Sequence, residues 1–142
     1  MTRVIFYSNV SDKHAALLAI LRNALTKGHS ITLFAENEQR AQALHAVLWQ
    51  QDSASFLPNV LANNPLASST PVVIDWQDGQ LCQDDLLVNL TQRQLTIFSR
   101  FRQLIELVGV NEDDKESARA RFKFYRDRGY EIKHFEGSSL ME

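Results

Sequence analysis

Lys115, Arg119, Phe122, Lys123 and Arg126 are the residues of this chain whose types and spacing could do chemistry. At 3.6 residues per turn they fall within an arc of roughly 100°, so a helix across them would carry its cations and one aromatic ring along a single face. Such a face suits a partner that is anionic and partly apolar. The competing reading is a solvated helix face, the usual fate of a run of surface charge.

The distribution of charge separates these readings. The net charge of -2 conceals an uneven partition: residues 1–114 carry 8 Lys/Arg against 12 Asp/Glu, residues 115–128 carry 6 against 2, and residues 129–142 carry 1 against 3. Positive charge is therefore concentrated in one segment of an otherwise acidic chain. A duplex-binding domain would more often be basic over a broad surface, because affinity for phosphates grows with the number of counterions released. A short acidic peptide needs only a small patch.

Other chemistry lacks residues to carry it. The first strand-to-helix turn reads Ser8, Asn9, Val10, Ser11, Asp12, without the glycines that let backbone amides approach a phosphate, and no Gly-Lys-Ser/Thr run occurs. The four histidines, His14, His29, His45 and His134, form no i, i+4 metal pair, and each reads as a surface or capping residue. Asp84 and Asp85 are adjacent, so in an extended segment they would point to opposite faces, poor geometry for paired acid and base work; a solvated turn suits them better. Cys82 is the only cysteine, which excludes a disulfide framework within the chain and reads as a core thiol in a reducing, cytoplasmic setting. The expected protein is non-catalytic, with no cofactor and no metal.

The elements that must position the basic segment follow from hydrophobic pattern. Val4–Tyr7 reads as a first strand rather than a secretion signal, and no apolar run approaches the roughly 18 residues of a membrane span. Ser11 and Asp12 then cap a helix with Ala15, Ala16, Leu18, Leu21 and Leu25 at helical spacing, closed by Gly28. Ser30–Ala35 reads as a strand and residues 37–50 as a helix, a crossover of the kind parallel sheets require. Residues 51–70 read as loop; Pro71–Trp76 and Leu86–Leu90 read as strands. Ile97–Val108 is ambiguous, and a strand preceded by a turn is favoured. Glu112, Asp113 and Asp114 open the basic helix, where carboxylates complement the helix dipole. Tyr130–Phe135 reads as a last strand at an edge, with Lys133 discouraging further pairing, and 136–142 as a frayed tail. Length and composition predict one domain spanning 1–142.

Read end to end, the chain resembles the chi subunit of bacterial DNA polymerase III holoenzyme. The likeness rests on Phe6-Tyr7, Ala46-Val47-Leu48-Trp49, Ser55-Phe56-Leu57-Pro58, Pro71-Val72-Val73-Ile74-Asp75-Trp76, and the run Arg119 to Arg126 before Gly129, in that order. It implies a three-layer α/β/α domain with a central, largely parallel sheet, a nucleotide-binding-like architecture without a phosphate loop. It implies an accessory role in the clamp-loader complex, gripping the acidic, apolar-ended C-terminal tail of single-stranded DNA-binding protein. By position, Lys115, Arg119 and Lys123 match the family's tail-binding cations, Val108 matches an apolar wall, and Phe122 stands where the family often has tyrosine; Arg126 joins them from the helical arc alone. A second partner, the psi subunit, would meet Trp49, Phe56 and Pro58, unless Trp49 and Phe56 merely cover the end of a helix. Direct binding of single-stranded nucleic acid by the same helix is the rival function.

Overall fold

The computed structural model describes residues 2–49, 59–62, 70–77 and 83–141. Strand β1 (Arg3–Val10) sends Val4 and Phe6 to one face and Ile5 and Tyr7 to the other, the period-2 alternation of a strand covered on both sides. Helix α1 (Lys13–Thr26) begins where the Asp12 carboxylate accepts from the Ala15 N–H at 3.1 Å, satisfying an amide that the first turn leaves unpaired. It ends at Lys27, ahead of Gly28 at φ +79°, a left-handed turn that glycine enters without steric penalty. Strand β2 (Ile31–Phe34) leads to α2 (Glu38–Trp49), whose cap is the Asn37 amide oxygen on the Arg40 N–H.

Strands β3 (Asn59–Leu61), β4 (Val72–Asp75), β5 (Leu86–Asn89), β6 (Gln103–Gly109) and β7 (Ile132–Glu136) complete one seven-stranded sheet of order β3-β4-β2-β5-β6-β1-β7. Every pairing is parallel. Helix α3 (Glu112–Asp127) crosses from β6 to β7 and is capped by Asn111, whose side chain accepts from the Asp114 N–H at 2.8 Å. Two cores result. Residues of α1 and α2, among them Leu17, Leu21, Ala41 and Leu48, pack on Ile31, Leu33, Val72, Ile74 and Ile105 of one sheet face. On the opposite face α3 and the 3-10 helix Thr96–Arg100 lay Ala118, Tyr125, Ile97 and Phe98 on Val4, Phe6, Phe34 and Leu104. This is the three-layer α/β/α arrangement with a parallel sheet that the family resemblance implies.

Two local outcomes differ from the sequence expectation, and one ambiguity is resolved. A strand, β3, occupies part of the segment read as loop; at three residues it is too short to show a period, and its identity comes from pairing with β4. The ambiguous stretch resolves into the 3-10 helix followed by β6, a turn and then a strand as favoured. The polar C-terminus does not fray: Gly137–Met141 form a 3-10 helix, with Leu140 against the α1 core. A Cβ at Gly137 would stand 2.9 Å from Val10 Cγ2 and 3.1 Å from the Ser8 carbonyl oxygen, so only glycine permits this close return to β1.

Candidate functional site

The basic face of α3 overlooks a cavity of about 340 Å³ at the carboxyl ends of β1, β6 and β7. Phe6 and Val108, both buried, lie at its base; Lys115, Ala118, Arg119 and Phe122 line it from α3; Ser8, Asn9 and His134 line it from the sheet. Phe122 is 36% exposed, so its ring is partly free, and it meets Phe6 edge to face at 5.6 Å. Such a ring offers a partner apolar area without being lost to the core.

A bulge in β1 shapes the sheet side of this cavity. Tyr7 pairs with Leu107 and Val10 with Gly109, so β1 spends one residue more than β6 over the same span. Asn9 takes up the excess at φ +56°, the left-handed region that asparagine tolerates better than most side chains. Its amide is held by Glu136, Nδ2 to Oε2 at 3.0 Å. The bulge lies in the turn that holds a phosphate loop in nucleotide-binding relatives of this architecture, and Asp12 already occupies the start of α1.

Neighbouring strands β1 and β6 feed helices on opposite faces, which makes the gap beyond their ends a topological switch point, the usual ligand crevice of an open α/β sheet. Here an ion pair spans it. Lys13 Nζ at the start of α1 lies 2.6 Å from Asp114 Oδ2 in the first turn of α3; the same carboxylate accepts from the Gly109 N–H at 2.8 Å and from the Gln92 amide at 2.9 Å. Burial alone would raise the Asp114 carboxyl, but the hydrogen bonds from Lys13, Gln92 and Gly109 outweigh it and hold the group below its ordinary value. Asp114 thus does more than complement the helix dipole.

Deeper under α3 lies a polar cluster. Glu106 of β6 is fully buried; Arg121 Nε donates to its Oε2 at 3.2 Å and the Tyr125 hydroxyl donates to the same oxygen at 2.7 Å. Arg121 Nη1 also donates to the Gln92 carbonyl at 2.9 Å and to the Ser117 hydroxyl oxygen. Burial pushes the Glu106 carboxyl up, against the opposing pull of the Arg121 guanidinium and the Tyr125 hydroxyl. Burial and the adjacent carboxylate push the Tyr125 phenol far up, so it stays a hydrogen-bond donor.

Of the cations in residues 115–128, Arg121 is therefore buried, Arg126 bonds the Asp127 carboxylate at 3.3 Å, and Arg128 lies over the Phe124 ring at 3.7 Å. Lys115, Arg119 and Lys123 form no ion pair among the described residues. The structure brings Lys115, Arg119, Phe122 and Val108 to one cavity; Lys123 and Arg126 are exposed on α3 outside its lining. Phe6, Ser8, Asn9, Ala118 and His134 join the cavity without having been singled out for it, because strand pairing and helix packing bring them there. Trp49 is the last residue of α2, and its side chain, like Phe56, Pro58 and Cys82, lies outside the described residues. Asp84 is exposed, whereas Asp85 is no free turn carboxylate: it accepts from His29 Nδ1 at 3.0 Å and from the Ser30 N–H at 3.1 Å. Among the described residues no cluster of three or more His, Cys, Asp or Glu side chains could hold a metal, and no helix is long and apolar enough to cross a membrane.

The fold recurs in the C-terminal domain of the DEAD-box protein Dbp5, with a TM-score of 0.64 over 96% of this chain and 91% of that one. At 14% identity that likeness concerns architecture alone. In sequence, the chain is 29% identical over 136 residues to the DNA polymerase III subunit chi of Pseudomonas aeruginosa, covering 93% of this chain and 94% of that protein. It is 31% identical over 106 residues to the subunit chi of Haemophilus influenzae, covering 74% of each. Residues 1–133 match the family model described as DNA polymerase III chi subunit, HolC, and the chain belongs to that family.

Proposed function

We propose that this protein is a non-catalytic accessory subunit of the replicase, acting in the cytoplasm, whose α3 pocket binds the acidic C-terminal tail of single-stranded DNA-binding protein. The observation that carries the reading is the cavity itself: apolar at its base, with Lys115 and Arg119 beside it and Lys123 farther along the same helix. A peptide ending in an apolar residue would bury that residue against Phe6, Val108 and Phe122 and direct its carboxylates to the cations. Charge-assisted hydrogen bonds of this kind contribute about 1.5–3 kcal/mol each, and they weaken with salt where they are exposed. The psi subunit is proposed as the second partner, meeting the surface around Trp49, Phe56 and Pro58 and joining the protein to the clamp loader.

Fluorescence polarisation with a labelled acidic tail peptide, and separately with a single-stranded oligonucleotide, tests the reading. Peptide binding that falls roughly 10-fold or more in Arg119→Ala, with unchanged thermal stability, is expected. Tight binding of the oligonucleotide with no response to the peptide would overturn it in favour of direct nucleic-acid binding.

A further inference from the structure

Across the pocket from α3, Ser8 Oγ of β1 and His134 Nε2 of β7 share a hydrogen bond, and both side chains line the cavity. In the β1–β7 ladder Phe6 pairs with His134 and Ser8 with Glu136, so these side chains rise from the sheet face that α3 covers. His134 is exposed, and Ser8 is its one hydrogen-bond partner among the described residues. The Lys115 and Arg119 wall is permanently cationic. The opposite wall carries an imidazole, a side chain that gains a positive charge by taking up one proton.

We propose that Ser8 and His134 are the sheet-side anion contact of this pocket, and that an acidic peptide held by Lys115 and Arg119 sets a carboxylate against them with uptake of one proton by His134. The inference rests on the acidic-tail reading of the same pocket. A neutral imidazole has one N–H and one bare nitrogen; when the Ser8 hydroxyl donates to Nε2, the ring proton is on Nδ1. A proton taken from solvent onto Nε2 reverses that bond: Nε2–H donates to Oγ, and the hydroxyl hydrogen turns toward the carboxylate. One protonation event thereby turns the Ser8 hydroxyl into a donor toward the anion and places a positive charge on the ring behind it.

The charged groups around the ring fit such a coupling. Lys115 and Arg119 face it from α3 and repel a charge there. Glu136 stands two residues along β7 on the same face, engaged by Asn9, and attracts one. At this rim β1 supplies the neutral Ser8 and Asn9, and β6 supplies Val108, while Lys133 alternates to the opposite sheet face beside Ile5. An arriving carboxylate adds to the attraction of Glu136, so occupancy and proton uptake favour each other, as linkage requires.

Isothermal titration calorimetry of the full chain with an acidic peptide ending in an aromatic residue tests this. Titrations near pH 6.5 in two buffers of different ionisation enthalpy read proton uptake directly, and titrations from about pH 8 to 5.5 read the affinity profile. The expected result is uptake of a fraction of a proton and affinity rising roughly threefold to fivefold as pH falls, the scale of an exposed charge pair. Both effects should vanish in His134→Gln, which keeps a hydrogen bond to Ser8, while Arg119→Ala weakens binding at every pH. Absence of proton uptake, or an unchanged pH profile in His134→Gln, overturns the inference and leaves the tail reading standing. A peptide that does not bind, or that binds Arg119→Ala as well as the parent, overturns the tail reading and the inference with it.

Discussion

Replacing Arg121 by methionine tests whether two arginines two positions apart on α3 do different work. Arg121 is buried against Glu106, while Arg119 faces the cavity. Arg121→Met keeps most of the unbranched apolar stem but strips Glu106 of its counter-charge and leaves the Gln92 carbonyl one donor short. Breaking a buried pair from one side costs about 3–5 kcal/mol. An independent limit comes from protonation: if Glu106 escapes by taking a proton, carrying a carboxyl of ordinary pKa 4.5 neutral into the core costs about 3.4 kcal/mol near pH 7.

The two figures agree, and the second has a pH signature. A carboxyl whose folded pKa lies above its unfolded value contributes stability that is fully present below the unfolded value and lost as pH rises through the folded one. The Arg121→Met deficit should therefore shrink between pH 7 and pH 5, by at most about 2.7 kcal/mol over two pH units. The parent's own raised Glu106 makes the observed difference smaller than that ceiling. Urea unfolding at both pH values, with Arg119→Met alongside, is the assay. A deficit under about 1 kcal/mol at pH 7, or one indifferent to pH, would show the cluster contributing little and refute the argument.

Other outcomes follow from the same contacts. Tyr125→Phe removes the hydroxyl that donates to Glu106 and should cost about 1.5–3 kcal/mol in urea unfolding, with peptide binding unchanged. Asp114→Asn, which removes the ion pair to Lys13, should lower stability in urea unfolding at neutral pH, and the loss should shrink under acid. The folded Asp114 carboxyl is depressed, so its stabilisation is present above about pH 4 and is lost as pH falls through the depressed value; the parent and the variant should therefore differ most above pH 4. Gly109→Ala would set a Cβ 2.6 Å from Asp114 Oδ2, and a loss of about 1–3 kcal/mol is expected from the displaced carboxylate. Phe122→Ala should weaken the tail peptide while leaving the melting temperature nearly unchanged, because the ring is partly exposed; equal losses in both would make the ring structural.

The parts of the fold that were legible in sequence are those whose pattern is local. The apolar run ending at Asp75, the Asp12 cap of α1 and the carboxylates opening α3 each declare themselves within a few residues. Strand β3 does not, since three residues hold no period and only β4 makes them a strand. The site divides in the same way. A helical arc puts Lys115, Arg119, Phe122, Lys123 and Arg126 on one face of α3, but an arc carries no information about where the neighbouring surface turns concave, and only the first three line the cavity. Ser8 and His134 lie 126 residues apart and meet only through the parallel pairing of β1 with β7. One missed signal was present: Glu106, alone among Leu104, Ile105, Leu107 and Val108, is a charge that an apolar strand could bury only with a partner, and Arg121 is that partner.

The two polar anchors of α3 have a mechanical meaning. Asp114 fastens the first turn to Lys13 and Gly109, and Arg121 with Tyr125 rivets the second half to the middle of the sheet at Glu106. Arg119 sits between these fastenings. A force on α3 at Arg119 would be resolved into the parallel strands on both sides of that point, so two anchors resist peeling from one end better than a single anchor would. The same construction that spans the fold's customary ligand crevice makes its outer helix a bracket fixed at two points.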